Sequence, residues 1–202
     1  MTERRIKPGH THAAQALAPL CREMEQALHA DHDPVLDPKL SPVEWPQAWL
    51  ARLGPAAVRI ATGINRLGSA AEADSEEIDP EVETALAEIR SGVRALIVLH
   101  EEAALTVPLA DPFLRNSLMD IAADTLRQIH EFLDRYVTII EDPDIGSTSR
   151  IDLTLELHRP VEIDTLIEHL RHHGNTHGAG NYSGTDLLLT GLVGLGLGLW
   201  IA

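Results

Sequence analysis

Four histidines lie close together near the C-terminal end of the sequence: His169, His172, His173 and His177. Residues three or four positions apart share one face of a helix, so His169 would stand beside both His172 and His173. Imidazoles at this spacing can bind Zn²⁺, Ni²⁺ or Cu²⁺. The alternative is a solvated helix end, where histidine suits the negative end of the helix dipole. No acidic or cysteine ligand converges on the four, so the sequence favours the second interpretation. It predicts no cofactor, with a divalent transition metal at these histidines as the alternative.

Other histidines are also candidates for chemistry. His29, His32 and Asp33 have a metal-compatible spacing, but the Asp-Pro turn at Asp33 explains this carboxylate without a metal. His100 falls on an apolar helical face and is predicted to be a buried histidine that is hydrogen-bonded to a neighbour. His10 and His12 lie near the start of the chain, where we expect fraying, so they carry less weight as candidates.

Known catalytic motifs are not found in the sequence. The segments that start at His100 and His130 begin the zinc motif His-Glu-x-x-His, but Ala104 and Asp134 replace its second histidine. No phosphate-binding glycine loop, dinucleotide fingerprint or nucleophile elbow is present. The single cysteine, Cys21, has helical spacing from apolar neighbours and is predicted to be a buried structural thiol. The sequence therefore favours a binding or structural role over an enzyme.

Composition excludes some partners. The chain has 202 residues and a formal net charge of −15, so an acidic surface should repel nucleic acids and anionic lipid headgroups alike. Any membrane attachment must then be hydrophobic.

Hydrophobic residues make up 44% of the chain and aromatic residues only 3%, which predicts an aliphatic core built from helices. No apolar stretch follows the charged N-terminal residues, so we expect a cytoplasmic protein.

The elements that would position these residues are mainly helices. Three helix starts place a capping side chain directly before a proline, at Ser41-Pro42, Asp79-Pro80 and Asp111-Pro112. We expect a kink or a later helix start at Pro19, and a break at Gly54-Pro55. Apolar residues recur at spacings of three and four in the helices that follow Asp79 and Asp111, and the short connection between these two helices predicts antiparallel neighbours. The predicted helices cover about residues 11–30, 42–71, 80–107 and 112–141, and residues 31–40 are predicted to be irregular.

The pattern changes after residue 142. Residues Ile151 to Leu157 alternate between apolar and polar, which predicts a half-buried strand. Val161 to His172 has the pattern of a short amphipathic helix. The expected fold is mainly α: an antiparallel helical bundle with a small strand–helix appendage and an apolar Gly/Leu-rich C-terminal segment. The expected divisions are 1–142 (bundle), 143–173 (strand and short helix), 174–186 (flexible glycine-rich linker) and 187–202 (apolar tail).

The tail, Leu187 to Ala202, contains 16 residues without a charge. As a helix, these 16 residues would span about 24 Å. The hydrocarbon core of a bilayer is about 30 Å thick and is usually crossed by roughly 20 residues, so the tail is somewhat short. Trp200 stands where an interfacial aromatic anchor would lie. Small residues recur every four positions and would form a groove that lets two helices approach closely: Thr190, Gly194, Gly198 and Ala202.

Two other structures fit the tail. From Val193 onward, aliphatic residues alternate with glycines, so the tail could be a strand paired with Ile151–Leu157. It could also dock as a peptide in a hydrophobic groove of a partner protein. The leading hypothesis is a non-enzymatic module that associates with membrane lipid and self-assembles as a homo-oligomer, anchored to the inner face of a membrane. The alternatives are a soluble assembly protein with a buried tail, and a histidine-rich metal-binding protein.

Overall fold

The computed structural model describes residues 6–33, 35–37, 39, 44–73, 77–108, 112–142, 153–158, 160, 162–176 and 200–201. This part of the chain is mainly helical, as predicted. Its helices are α1 (Pro8–His29), α2 (Glu44–Ala70), α3 (Pro80–Leu105), α4 (Pro112–Glu141) and α5 (Glu162–Thr176). Its strands are β1 (Val35–Asp37), β2 (Thr106–Pro108), β3 (Leu157–His158) and β4 (Trp200–Ile201).

The first four helices form a bundle around an aliphatic core. Helix α2 packs most extensively on α3, while α1, α3 and α4 pack on one another. Contacts between Trp49 and Leu99 show that α2 and α3 are antiparallel, and ion pairs of His12 with Glu83 and of Glu23 with Arg94 show that α1 and α3 are parallel. The bundle therefore has an up-down-up-down course, which agrees with the predicted antiparallel pairing of α3 and α4.

Two glycines allow α2 and α3 to approach closely. A Cβ atom at Gly63 would lie 2.8 Å from Ile89 Cγ1, and one at Gly92 would lie 2.5 Å from Ile60 Cγ1 and 2.9 Å from the Ala56 carbonyl oxygen. Real Cβ atoms do not come this close to other atoms, so larger residues would push the helices apart. Small residues at a helix–helix seam thus have a packing role in the bundle itself, which the sequence pattern did not indicate.

Local sequence explains where α3 begins, whereas burial in the bundle explains why α2 does not break. The Asp79 carboxylate accepts a hydrogen bond from the Glu81 backbone N–H at 2.9 Å, which confirms the predicted cap. The predicted break at Gly54-Pro55 is wrong, because α2 is continuous through both residues. Pro55 points to solvent while Leu53 and Ala57 are buried. Burial of these neighbours offsets the hydrogen bond that proline cannot make.

Other boundaries differ from the predictions in smaller ways. Helix α1 starts at Pro8 and runs through Pro19, so Pro19 is not the helix start. The connection predicted to be irregular contains β1, which pairs in parallel with β2. Helix α5 continues to Thr176, beyond the predicted end at His172. The predicted caps Ser41 and Asp111 lie outside the described residues.

The predicted strand at Ile151–Leu157 is much shorter in the structure. Burial does alternate, with Leu153 and Leu157 buried and Thr154 and Glu156 exposed. Among the described residues, Leu157 and His158 pair with Trp200 and Ile201 in a parallel ladder. The Gln128 side chain accepts a hydrogen bond from the His158 N–H at 2.7 Å and donates one to its carbonyl oxygen at 2.9 Å.

Within the part of the chain that the structure describes, none of the helices has both the length and the apolar character needed to cross a bilayer. The tail residues Thr190, Gly194, Gly198 and Ala202 lie outside that part, so the predicted groove stays a prediction. Of Trp200, the structure describes the backbone, in β4.

Candidate functional site

One end of the bundle brings two histidines together from distant parts of the sequence. His32 lies in the connection after α1, and His100 lies near the end of α3. Their ring centroids are 6.2 Å apart and the planes are inclined by 63°, an edge-to-face contact. We call this end of the molecule the His100 end. The two residues are far apart in the sequence, and only the fold makes them neighbours.

His100 is buried and His32 is half-buried, and each ring has one shielded nitrogen without a hydrogen-bond partner among the described residues. His100 is 5% exposed. Among the described residues, neither His100 Nδ1 nor His32 Nε2 has a hydrogen-bond partner, and both atoms are shielded from solvent. His100 is therefore buried as predicted, but the predicted hydrogen bond to a neighbour is not found there. Buried polar atoms without partners are rare and costly in folded proteins, so this pair is a candidate functional site.

Burial also sets the protonation of His100. It lowers the pKa of His100 below the usual value, because a charged imidazolium loses its water shell in the protein interior. The electrostatic interaction with the neighbouring His32 lowers the pKa of His100 further, and the negative charge of Glu101 partly opposes both effects. His100 is thus neutral at pH 7, and a proton added to it would be an unfavourable buried charge.

Side chains of α2 hold the surrounding structure in place. The buried indole of Trp49 donates a hydrogen bond to the Leu99 carbonyl oxygen at 2.9 Å, one residue before His100. Glu102 accepts hydrogen bonds from Trp45 Nε1 at 3.1 Å and from Arg52 Nη2 at 2.7 and 2.8 Å. These contacts fix the end of α3 against the start of α2.

The opposite end of the bundle, the His10 end, contains another buried histidine. His10 is 1% exposed, so the predicted frayed terminus is wrong. Its Nδ1 lies 2.9 Å from the Tyr136 hydroxyl oxygen, and its Nε2 lies 3.3 Å from Glu72 Oε1. The Tyr136 hydroxyl also lies 3.4 Å from the His10 carbonyl oxygen. Both ring nitrogens of His10 therefore have partners.

The charges at the His10 end support this network. Burial raises the pKa of Glu72, but hydrogen bonds and positive charge from His10 and Lys7 outweigh burial, and the net pKa is lowered. The Lys7 Nζ atom lies 3.4 Å from Glu72 Oε2. Burial and the nearby Glu72 carboxylate raise the pKa of Tyr136. Tyr136 thus stays neutral and Glu72 stays ionised at neutral pH, as a stable structural network requires.

The predicted histidine cluster is only partly described by the structure. The His169 ring lies 4.7 Å from the Phe113 ring, inclined by 40°, so it packs on the start of α4. The backbones of His172 and His173 lie in α5, while their side chains and all of His177 lie outside the described residues. Across the described residues, no group of three or more histidine, cysteine or acidic side chains could hold a metal ion. The proposed cluster stays a prediction.

Two further candidates have structural explanations. His29 Nδ1 donates a hydrogen bond to the Glu25 carbonyl oxygen at 2.8 Å and so satisfies the end of α1. Cys21 is buried, as predicted. Its pKa rises to about 11, chiefly because burial disfavours the thiolate and also because Asp134 is negative. A protonated, buried thiol is a poor nucleophile, so Cys21 fits a core residue.

The chain matches no protein-family model, no curated protein and no solved structure. Interpretation therefore depends on the molecule itself. The His32–His100 pair can bind a proton. Acyl-transfer catalysis requires a nucleophile, a base and an orienting group in mutual contact, and among the described residues this pair is not part of such a set.

Proposed function

We propose that this protein is a non-enzymatic helical interaction module that uses its C-terminal segment to associate with a membrane and to self-assemble there. The observation that carries the proposal is the uncharged stretch of 16 residues, Leu187 to Ala202, in a chain with a net charge of −15. Transfer of such a segment from water to an apolar environment lowers its free energy. The described helices bury most of their apolar residues in the bundle core. The tail is then the most apolar stretch of the chain that could be buried in lipid or against a partner.

The chemistry of the chain selects the kind of membrane contact. An acidic protein is repelled by anionic headgroups, so attachment depends on apolar insertion and not on surface charge. We place the protein in the cytoplasm, with the tail anchored to the inner face of a membrane. In that position Trp200 would lie at the headgroup level, where indole rings are favoured.

The tail also suits assembly between copies of the chain. In lipid, helices associate through small residues that let their backbones approach, because apolar burial no longer distinguishes protein from solvent. Thr190, Gly194, Gly198 and Ala202 would form this surface. In water the same glycines each cost roughly 1 kcal/mol of helix stability relative to alanine, so the helix is favoured mainly inside the membrane.

A flotation experiment with vesicles tests the proposal. The full-length chain should float with neutral phosphatidylcholine vesicles, and binding should persist at high salt because it is hydrophobic. A chain lacking residues 187–202 should stay in the soluble fraction with an unchanged circular dichroism spectrum. Gly194→Leu with Gly198→Leu should retain flotation and lose cross-linked oligomers. A soluble full-length chain whose deletion variant merely unfolds would contradict the membrane proposal.

A second candidate function is a soluble assembly protein whose tail is buried in its own fold. The parallel pairing of Leu157 with Trp200 favours it, because it ties the end of the tail to the appendage beside α4. The two candidates differ in amide exchange without detergent. Strong protection at Leu157 and Trp200 would support the soluble protein, and protection that arises only with vesicles would support membrane association.

A further inference from the structure

The connection between α1 and α2 is held on the end of α3 at two points. The first is the contact between the His32 and His100 rings, with centroids 6.2 Å apart. The second is the three-residue parallel ladder that pairs Val35 with Thr106. We call residues 30–33 and 35–37 the strap. These two contacts, one with α3 and one with β2, involve few residues compared with the helix–helix seams.

The contact that holds the strap depends on a neutral His100. His100 is 5% exposed and its Nδ1 has no hydrogen-bond partner among the described residues. A proton on this ring therefore meets no acceptor in that part of the molecule. If the strap opened, the imidazolium of His100 would gain access to water. The favourable free energy of that hydration favours the open strap.

Charged groups around the pair do not compensate for the added proton. On α3, Glu101 is the carboxylate that favours a charged His100, and it is outweighed by burial and by His32. From α2, Arg52 faces the same end but is neutralised by Glu102. From α4, Arg115 donates to the Ala104 carbonyl oxygen at 3.3 Å and adds a further positive charge. On the strap itself, the Asp31 and Asp33 side chains are exposed to solvent.

We propose that the His32–His100 contact is a proton-sensitive latch, which keeps the strap closed on α3 at neutral pH and releases it when His100 is protonated. The ligand is the proton itself, and the movable element is the strap. The proposal does not depend on the tail or on its destination. The two nitrogens without partners, His100 Nδ1 and His32 Nε2, would then control whether the strap is closed on the end of α3.

Hydrogen–deuterium exchange of the full-length protein tests the latch, with each rate corrected for the intrinsic effect of pH. An ordinary histidine titrates near pH 6.5, so at pH 5.5 the opening of the strap should rise about five- to tenfold relative to pH 7.5. Amides of residues 35–37 should show this change, while amides in the middle of α3 should not. The His100→Gln variant should lose the response, and the neighbouring His29→Gln variant should keep it.

A second measurement covers the case in which His100→Gln does not fold. The His100 ring of the unmodified protein is titrated by NMR, and its midpoint should lie below 6.5 and coincide with the midpoint of strap opening. The latch is wrong if the strap amides stay protected at pH 5.5, if His100→Gln opens equally, or if the His100 midpoint is 6.5 or higher. Equal loss of protection in the strap and in α3 would show global unfolding and would also overturn it.

Discussion

The two ends of the bundle each bury a histidine, but they satisfy it differently. At the His10 end, Tyr136 and Glu72 partner both nitrogens of a ring that is 1% exposed. At the His100 end, a ring that is 5% exposed has an unpartnered Nδ1 among the described residues and faces a second imidazole. Burial alone therefore does not distinguish a structural histidine from a candidate site. The hydrogen-bond partners of the ring make that distinction.

The two rings differ in the free-energy cost of burying their nitrogen atoms. A buried nitrogen with a partner recovers in the protein what it lost from water, so the His10 network should stabilise the fold. A buried nitrogen without a partner costs free energy in the closed state, and this cost makes the closed state sensitive to protonation. Paired substitutions at the two ends can separate these contributions.

The largest effect should come from His10→Met, which keeps much of the side-chain volume and removes both ring contacts. We expect a loss of about 2–4 kcal/mol in the free energy of unfolding, because the Tyr136 hydroxyl and Glu72 lose a buried partner. Urea denaturation at pH 7.5 measures it. The control is His12→Met, at a half-buried position bonded to Glu83, which should cost less than about 1 kcal/mol. Equal losses at the two positions would contradict a special role of the His10 network.

A smaller effect is expected from Tyr136→Phe, which removes only the hydroxyl group. The His10 Nδ1 atom would then be buried without its partner at 2.9 Å, so the loss should be about 1–2 kcal/mol. The same change made in a His10→Met background should cost clearly less, because the two residues act as a unit. Additive losses in the double-mutant cycle would mean that the two side chains are not coupled.

At the other end, His100→Met should leave the free energy of unfolding within about 1 kcal/mol of the original, or raise it, because an unsatisfied polar group is replaced by an apolar one. The variant should also flatten the acid response. Since the folded pKa of His100 is lowered, the unfolded chain binds a proton more readily than the folded one, so the original protein loses stability as pH falls below about 6.5. Urea denaturation at pH 7.5 and 5.5 gives both results. A loss as large as that of His10→Met would remove the contrast between the two ends.

The smallest effect should come from Glu72→Gln, which should lose a little stability at neutral pH and none at low pH, where the native carboxyl group is also protonated. The pKa of Glu72 is lowered in the folded state, so its contribution is present above the usual glutamate range and is lost as pH falls through the folded value. The Glu72 side chain is 40% exposed, so solvent screening keeps the contribution small. Thermal unfolding between pH 3 and 7 should show a slightly lower midpoint temperature for the variant near pH 6, and the difference should close as pH falls below about 4.5. A difference that persists at pH 3 would mean that the ionised carboxylate of Glu72 is not its source.

Local signals in the sequence were sufficient for the main elements. Helix α4 spans Pro112–Glu141, as the spacing of its apolar residues predicts, and the Asp79 cap starts α3. Both depend on residues within a few positions of each other. Gly54-Pro55 was misjudged because the outcome there depends on the surface of α3 against which α2 packs. Gly63 and Gly92 were missed for the same reason, since close approach of helices is a property of two elements and not of one.

The sequence by itself determined the helical class, the aliphatic core, the buried thiol of Cys21 and the acidic surface, because composition and short-range periodicity decide these. The tertiary structure alone decided which histidines have partners. His10 lies 126 residues from Tyr136 and 62 from Glu72, and only the packing of α1 against α4 and the end of α2 brings them together. His32 and His100 meet because the chain after α1 returns over the end of α3. A hydrogen-bond partner is defined by position in space, and periodicity along the chain carries no information about it.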